Sequence, residues 1–167
     1  MSRTSLKHMQ CSLARTADIL GDQWMLLILR DAFYGVKSFS DLRRNLGVAA
    51  NVLSVRLEKL VDEGILAREP VRPGVERYHY HLTEKGKALF PVLISMTQWG
   101  DKWIFGNEGE PVQFIDREQR APLQTVAVQA RDGRCLQPAD VTFRPGPSAH
   151  PRLMEIYGTP ATRDAEG

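Results

Sequence analysis

The stretch SFSDLRRNLGVAANVLSVRLEKLVDEG, residues 38–64, decides how the chain folds. Its first part, DLRRNL, predicts a short helix that Ser40 caps and that ends at Gly47. The second part is amphipathic, with an apolar stripe made by Leu53, Leu57, Leu60 and Val61. The opposite face carries mostly Asn51, Ser54, Val55, Glu58 and Asp62. This pattern predicts two consecutive helices, the second of which packs one side on a core and presents the other outward.

Two further helices are predicted on the N-terminal side of this stretch. The segment from Ser12 to Leu20 has apolar residues at helical spacing, and Gly21 follows where helices often end. Asp22 is a suitable N-cap for a second helix, WMLLILRDAFY, which is apolar nearly all round until Gly35. A helix of that composition is expected to lie centrally in the core.

On the C-terminal side the pattern changes from helix to strand after Gly64. The segments ILAREPV and ERYHYHL alternate around a Pro73-Gly74 turn and predict a two-stranded hairpin. From Thr83, TEKGKALFPVLISMTQWGDKWIF predicts a helix of about 22 residues, or roughly 33 Å. Pro91 is expected to kink it or to occupy a turn that tolerates a missing donor. Such a long apolar helix needs a partner that covers it.

The last part of the chain differs in composition, since seven of the ten prolines lie in the last 62 residues. We expect a linker near residues 106–111 and then a small hairpin formed by LQTVAVQA and RCLQPADVTFR around Asp132-Gly133. The end, from Gly146 onward, is expected to be poorly ordered. The predicted division is therefore a first domain, residues 1–105, and a second part, residues 106–167.

Charge is distributed unevenly over these two parts. The first domain holds 15 Lys and Arg against 11 Asp and Glu, and the second part holds 7 against 9. Between Lys37 and Leu60 five basic residues stand against two acidic ones, which makes this stretch the first candidate surface for phosphates. The sequence contains no apolar run of about 18 residues and no signal-peptide pattern, so we expect a cytoplasmic protein without membrane contact.

The order of these elements is that of a winged helix-turn-helix within a mostly α fold with a small β wing. Such a fold suits duplex DNA because its amphipathic helix fits the major groove and its hairpin tip reaches the neighbouring backbone. The groove-facing candidates are Ala50, Asn51, Ser54 and Val55. The predicted DNA-binding residues are Ser40, Arg43, Arg44, Asn51, Ser54, Arg56, Lys59, Arg72 and Arg77. The alternative for the cations is an ordinary solvated surface, and Arg56 would then pair with a nearby acid.

From Cys11 to Trp99 the sequence resembles HxlR-type regulators, a branch of the winged-helix repressors related to MarR proteins. The resemblance is carried by CSLARTADILGDQWMLLILRDAF, FSDLRRNL, VLSVRLEKLVDEGILARE and YHLTEKGKALFPVLISMTQWG. The family implies a homodimer formed mainly through its first and last helices, so that the last becomes a long C-terminal dimerisation helix beside the small β-hairpin tail. It also implies a pseudo-palindromic operator, with two recognition helices about 34 Å apart in successive major grooves.

The start of the recognition helix departs from the family pattern. Relatives commonly have a Ser-Pro-Lys-like run there, whereas this chain has Ala49-Ala50-Asn51 and therefore lacks a strong cap and one cation. Asn51 is expected to contact adenine or phosphate instead.

The two cysteines lie far apart, which does not suit a disulfide scaffold or a paired metal site. In a subset of the family, a cysteine at the position of Cys11 senses electrophiles or oxidants. Cys11 opens a helix with Lys7 and Arg15 nearby, which suits a reactive thiol, although packing of a small thiol is the alternative. The stretch LQPADVTFRPGP is similar to the end of longer members, but Cys135 lacks the paired cysteines of a zinc site.

Two further groups of residues are ambiguous. His79 and His81 share a strand face, but they lack neighbouring ligands at suitable spacing, and we expect neither a metal nor a cofactor. Trp24, Trp99 and Trp103 line either an effector pocket or the core and dimer contacts. The cleft between the long helix and the buried second helix is where a ligand is expected.

These observations predict a homodimeric, sequence-specific regulator of transcription that acts on double-stranded DNA, as a repressor, and responds to a small molecule or to oxidants. The alternative is a winged helix used for protein interaction without a DNA target. An enzyme is not expected, because the sequence has no phosphate-cradling glycine loop, nucleophile elbow or HExxH motif.

Overall fold

The computed structural model describes residues 5–151, in which four helices precede a two-stranded hairpin and two further helices. The elements are α1 (Ser12–Leu20), α2 (Gln23–Phe33), α3 (Phe39–Leu46), α4 (Ala50–Asp62), β1 (Leu66–Pro70), β2 (Tyr78–Leu82), α5 (Glu84–Lys87) and α6 (Phe90–Gly100). The predicted order of helices and wing is confirmed.

The second helix lies at the centre of the core, as its composition predicts. Asp22 caps α2, because its Oδ1 accepts a hydrogen bond from the Trp24 amide at 2.9 Å. Ile28 and Leu29 have no exposed surface. Around them pack buried residues of the next elements: Leu42, Leu53, Leu57, Leu60, Ile65 and Leu66. The apolar stripe of α4 therefore faces the core, and its polar face is left outward.

The cap of α3 differs from the prediction. Ser38, not Ser40, is the N-cap: its Oγ accepts from the Asp41 amide at 3.1 Å and donates to Asp41 Oδ2 at 2.6 Å. The backbone of Ser38 also bridges to His79 of the wing, which fixes where the chain turns into the helix. The helix ends at Gly47, which has a φ of 63° and accommodates the left-handed conformation that a side chain would disfavour.

The wing is an antiparallel pair whose register runs from Leu66 opposite Leu82 to Pro70 opposite Tyr78. Gly74, with a φ of 77°, lies in the turn between the strands. The Lys37 carbonyl accepts a hydrogen bond from the Tyr80 amide at 2.9 Å, so the wing is also joined to the segment before α3.

The long C-terminal helix is interrupted near its start. A turn at Ala88 and Leu89 separates the four-residue α5 from α6, and Pro91 lies in the first turn of α6, where its missing donor costs little. After Gly100 the helix widens into a π-helical turn over Asp101–Phe105. The prediction of one helix from Thr83 was wrong at this break, whereas the tolerated position of Pro91 is confirmed.

The described chain divides into two compact units, Thr16–Val126 and a second unit that contains residues 5–15 and 127–151. The turn of the predicted tail hairpin, at Asp132 and Gly133, lies in the second unit, whereas its predicted first strand begins before the boundary at residue 126. The described pairing there is shorter than predicted, with one bridge, between Gln129 and Cys135. The predicted boundary after residue 105 stays a prediction, and the predicted disorder at the end falls largely on residues 152–167, outside the described residues.

Within residues 5–151, none of the helices has both the length and the apolar character that crossing a membrane requires.

Candidate nucleic-acid interface

The first turns of α4 present a small, uncharged surface, here called the groove face, made by Ala50, Asn51, Ser54 and Val55. Ala50, Asn51 and Val55 are exposed, and Ser54 is half-buried. Ala49 occupies the N-cap in an extended conformation, and its methyl group offers no acceptor to the first amides of the helix. The predicted absence of a strong cap is confirmed. Amides at this end are positioned to donate to a phosphate or to water.

The cations of α3, the helix that precedes the groove face in the chain, are exposed. Arg44 Nη2 lies 2.5 Å from Asp41 Oδ1, and Arg43 on the same helix is also exposed. The Ser38 hydroxyl and then the Arg44 guanidinium hold the pKa of Asp41 below its ordinary value of 3.8. Ser40 is exposed, with its Oγ 3.0 Å from Ser38 Oγ. Arg43 is therefore better placed than Arg44 to meet an external anion.

The wing contributes Arg72 and Arg77, both exposed on either side of the turn at Gly74. Their backbones hold the turn, since the Val71 amide donates to the Arg77 carbonyl at 2.8 Å. Deeper in the wing, burial raises the pKa of Tyr80 above its usual 10.0, so its hydroxyl stays neutral.

Arg56 and Lys59, in the middle of α4, were predicted to contact DNA, but their side chains bind other residues of this chain. Arg56 Nη2 lies 2.9 Å from Asp22 Oδ2, and both side chains are about three-quarters buried. Lys59 Nζ donates to the Asp18 carbonyl at 2.7 Å. We call these two contacts the α4 anchor, because they fasten the recognition helix to the corner between α1 and α2. Asp22 thus has two roles, as cap of α2 and as partner of Arg56.

The histidine pair on the wing has local partners. The rings of His79 and His81 are edge to face with centroids 6.2 Å apart, and His81 Nε2 lies 3.5 Å from Glu69 Oε2. Across the described chain, His, Cys, Asp and Glu side chains do not assemble in threes at positions that would hold a metal ion.

A cleft of about 190 Å³ lies between α2 and α6, where the sequence predicts a ligand site, and its use by a ligand stays a prediction. Its walls are largely aromatic and aliphatic: Leu26, Leu27, Phe33, Tyr34, Phe90, Leu93, Ile94, Met96 and Phe114, with Arg30 and Thr97. The three tryptophans lie elsewhere. Trp24 packs against the core, Trp99 is 61% exposed on α6, and Trp103 is 65% exposed on the π-helical turn that follows it. Their position on an uncovered apolar helix suits a contact between subunits better than a pocket.

The two cysteines are exposed free thiols. Cys11 directly precedes α1, and its Sγ lies 3.5 Å from the Ala14 amide in the place of a cap. Arg15 Nε donates to the Met9 carbonyl at 2.9 Å, so part of its guanidinium is committed away from the sulfur. Cys135 follows the tail turn and pairs with Gln129.

Three residues position the site through contacts with distant parts of the chain, and a local sequence pattern does not reveal those contacts. Asp22 meets Arg56 across 34 positions of sequence, and Gln98 of α6 pairs with the backbone near residue 125. A Cβ on Gly86 of α5 would lie 2.3 Å from the Ile65 carbonyl oxygen, so only glycine allows α5 to approach the start of the wing this closely. The sequence TEKG contains this last signal, but only the fold shows what the glycine approaches.

The exposed groove face, the basic wing and the helix order define a winged helix-turn-helix protein that binds DNA and regulates transcription. Residues 19–108 match the family model described as HxlR-like helix-turn-helix, and the chain belongs to this family. Its members are regulators of transcription and not enzymes.

Similar proteins agree with this assignment. The uncharacterised HTH-type transcriptional regulator Rv3095 of Mycobacterium tuberculosis is 36% identical over 142 residues, which cover 85% of this chain and 90% of that protein. YvaP of Bacillus subtilis, of the same description, is 36% identical over 91 residues, 54% of this chain and 84% of its own.

Solved structures show the same fold. The transcription factor PA1607 superposes with a TM-score of 0.78 at 37% identity, over 84% of this chain and 98% of its own. PA1374 from Pseudomonas aeruginosa gives 0.63 at 32% identity, over 87% and 99%. The reduced form of the redox regulator HypR gives 0.53 at 27% identity, over 59% and 98%.

Proposed function

We propose that this DNA-binding regulator acts as a cytoplasmic homodimer that represses transcription from a pseudo-palindromic operator. The observation that carries the proposal is the surface formed by the groove face and the exposed Arg43, Arg72 and Arg77. An uncharged, short-chained centre flanked by cations suits a DNA groove bordered by phosphates.

Two of the predicted contact residues have a different part in this proposal. Arg56 and Lys59 orient the recognition helix through the α4 anchor, and the remaining cations meet phosphate. Arg44 contributes less than Arg43, because the neighbouring Asp41 carboxylate offsets its charge.

The homodimer is supported by a second observation. Val92, Met96, Trp99 and Trp103 recur along one side of α6 and its π-helical extension and are all exposed, with fractions of 44% to 65%. We call them the outer stripe. An apolar surface of this kind is typical of a subunit contact, and a second copy of the helix would cover it.

The experiment is binding of the full chain to duplex DNA from its own upstream region over a series of salt concentrations. We expect Arg43→Ala, Arg72→Ala and Arg77→Ala each to reduce the slope of log affinity against log salt by about two, one for each subunit of the dimer. Arg131→Ala, an exposed cation of the tail, is the matched control and leaves the slope unchanged. Failure to bind any duplex even at low salt would favour the protein-interaction alternative.

Regulation by a small molecule or by oxidation of Cys11 belongs to the same proposal. The exposure of Cys11 at the start of α1 supports regulation by oxidation. The cleft between α2 and α6 supports regulation by a small molecule. Diamide is expected to release DNA from the wild type but not from Cys11→Ser. Equal release from both proteins would remove Cys11 from the mechanism.

A further inference from the structure

The helix α6 has two apolar sides with different surroundings. The outer stripe faces away from the rest of its unit, whereas Phe90, Ile94 and Thr97 face α2 and line the cleft. Met96 borders both surfaces, because it is half exposed and also lines the cleft. A second subunit and a small ligand would therefore occupy different sides of the same helix.

The cleft is closed on one side by a segment that follows the helix. Residues 114–126 form a loop in which the Leu123 amide donates to the Phe114 carbonyl at 3.0 Å, and Ile115 bridges to Pro122. We call this segment the strap. Its Phe114 ring enters the lining of the cleft and lies 6.1 Å from the Tyr34 ring, measured between centroids.

The strap is fastened to α6 by one side chain. The Gln98 carboxamide donates through Nε2 to the Gln124 carbonyl at 3.0 Å and accepts through Oε1 from the Val126 amide at 2.8 Å. This two-bond pairing imitates a neighbouring β-strand and holds Phe114 in place. The HxlR-like family model ends at residue 108, before the strap begins, so this closure is not part of the shared helix-turn-helix.

The chemistry of the lining selects the kind of ligand. Arg30 supplies the cationic group of the cleft, but its Nε and Nη2 both donate to Asp31 Oδ1, at 3.0 and 2.8 Å. The Thr97 hydroxyl donates to the Leu93 carbonyl at 2.9 Å. The Asp31 carboxylate therefore offsets much of the Arg30 charge and weakens the attraction of the cleft for an anion, while an uncharged ring meets an apolar wall.

The size of the cleft points the same way. An apolar cavity of about 150 Å³ binds benzene, so about 190 Å³ suits one or two fused rings. The cleft alone cannot serve as the contact with a second subunit, because a stable interface buries about 800 Å² on each partner, far more surface than a cleft of this size provides.

We propose that this cleft binds an uncharged small aromatic molecule, which the strap encloses through Phe114 and Gln98. The proposal rests on the proposed function, in which a small molecule regulates DNA binding, and it states which kind of molecule that effector is. Because Met96 lines both the cleft and the outer stripe, and methionine side chains repack readily, occupancy would alter the surface offered to the second subunit.

The test is a titration of the full chain, labelled with ¹³C at its methionine methyl groups, with indole and separately with indole-3-carboxylate. We expect a saturable shift of the Met96 resonance, assigned with Met96→Leu, at lower concentrations of indole than of the carboxylate. Thr97→Trp, which fills the cleft, abolishes the shift. Gln98→Ala weakens indole binding about fivefold, because the Phe114 wall is no longer held. Val128→Ala, at an exposed valine outside the cleft, the strap and the outer stripe, is the matched control and retains wild-type affinity.

Three results would overturn the proposal: no saturable shift of Met96, an unchanged shift in Thr97→Trp, or equal affinity for the carboxylate. Circular dichroism establishes that each variant is folded. Operator binding, measured on the same samples without indole, tests the proposed function separately. A protein that binds indole but no DNA contradicts that function and leaves the cleft proposal standing.

Discussion

At the scale of single residues, Asp22 links two tasks that are usually separate. One carboxylate oxygen caps α2, and the other holds Arg56 of the recognition helix. Arg56 was predicted as a DNA contact because cations on a recognition helix commonly meet phosphate. Its partner is 34 positions away in sequence, so no local pattern reveals that the charge is already committed.

Asp22→Asn isolates the second task, because asparagine is also a good N-cap but carries no charge. We expect the free energy of unfolding to fall by about 1 kcal/mol, as for a partly buried ion pair that loses its charge. Operator affinity should also fall, while the salt dependence stays unchanged, since no phosphate contact is lost. Urea unfolding and salt-dependent binding measure the two effects. If Arg56→Ala instead lowers the salt slope by about two, one for each subunit, Arg56 does contact phosphate.

Asp41 makes the cap of α3 sensitive to pH. Its pKa is lowered by the Ser38 hydroxyl and by Arg44, so the folded state favours the carboxylate. The resulting stabilisation is present above the ordinary pKa of 3.8 and is lost as the pH falls through the lowered value. Urea unfolding should therefore show Asp41→Asn to be less stable than the wild type at about pH 6, with the difference disappearing in strong acid.

The matched pair of serines tests which one is the cap. Ser38→Ala should cost about 1 kcal/mol, and Ser40→Ala little. Equal costs would contradict the assignment of Ser38.

At the scale of elements, the stop signals of the sequence located most boundaries correctly. Gly47 and Gly64 follow α3 and α4, and both adopt the positive φ that glycine allows. The predicted cap of α3, Ser40, was wrong by two residues, because Ser38 is the N-cap. Two serines precede Asp41, and only the bridge from Ser38 to the wing distinguishes them. The sequence pattern did not predict the break between α5 and α6, because the helical spacing of apolar residues continues across it.

Gly86 of α5 determines how closely the long helix approaches the wing. In Gly86→Ala the new Cβ would collide with the Ile65 carbonyl, a backbone atom that cannot move alone. We expect a loss of about 1–3 kcal/mol in the free energy of unfolding, measured by thermal or urea denaturation. Gly100→Ala is the control, because its Cβ would meet only Ile104 Cδ1 at 3.9 Å. That helical substitution is expected to stabilise the protein slightly, by about 0.5–1 kcal/mol. Equal effects of the two changes would contradict the close approach.

At the scale of the whole molecule, the sequence predicted the fold class and the DNA-binding class better than the details of assembly. The helix order and the family resemblance were enough to predict the fold class and the DNA-binding class. The cleft was expected between α2 and α6, but its tryptophan lining was not found, because Trp99 and Trp103 lie on the outer side of α6. Which side of a long apolar helix meets its own subunit depends on the strap and on α2, and periodicity alone does not distinguish them.

Trp99→Glu tests the proposed subunit contact. A carboxylate in the middle of the outer stripe would have to be buried without a partner, so we expect a dimer to dissociate. Light scattering coupled to gel filtration measures the mass, and affinity for the full pseudo-palindrome should fall together with it. Val128→Glu introduces the same charge at a similarly exposed valine outside the stripe and should leave the mass unchanged. A Trp99→Glu protein that retains the mass of the wild-type dimer would contradict the proposed contact.

The α4 anchor also bears on how new operator preferences can be engineered. Because α4 is fastened at its middle, the groove face, which we propose enters the DNA groove, is free to vary without changing the angle of the helix. A chimaera that receives residues 50, 51, 54 and 55 from a relative keeps Arg56 and Lys59, and with them its alignment. A longer graft that replaces those two cations would need matching changes at Asp22 and in the corner that follows α1. In the proposed complex, separate side chains would thus select the DNA sequence and set the orientation of α4.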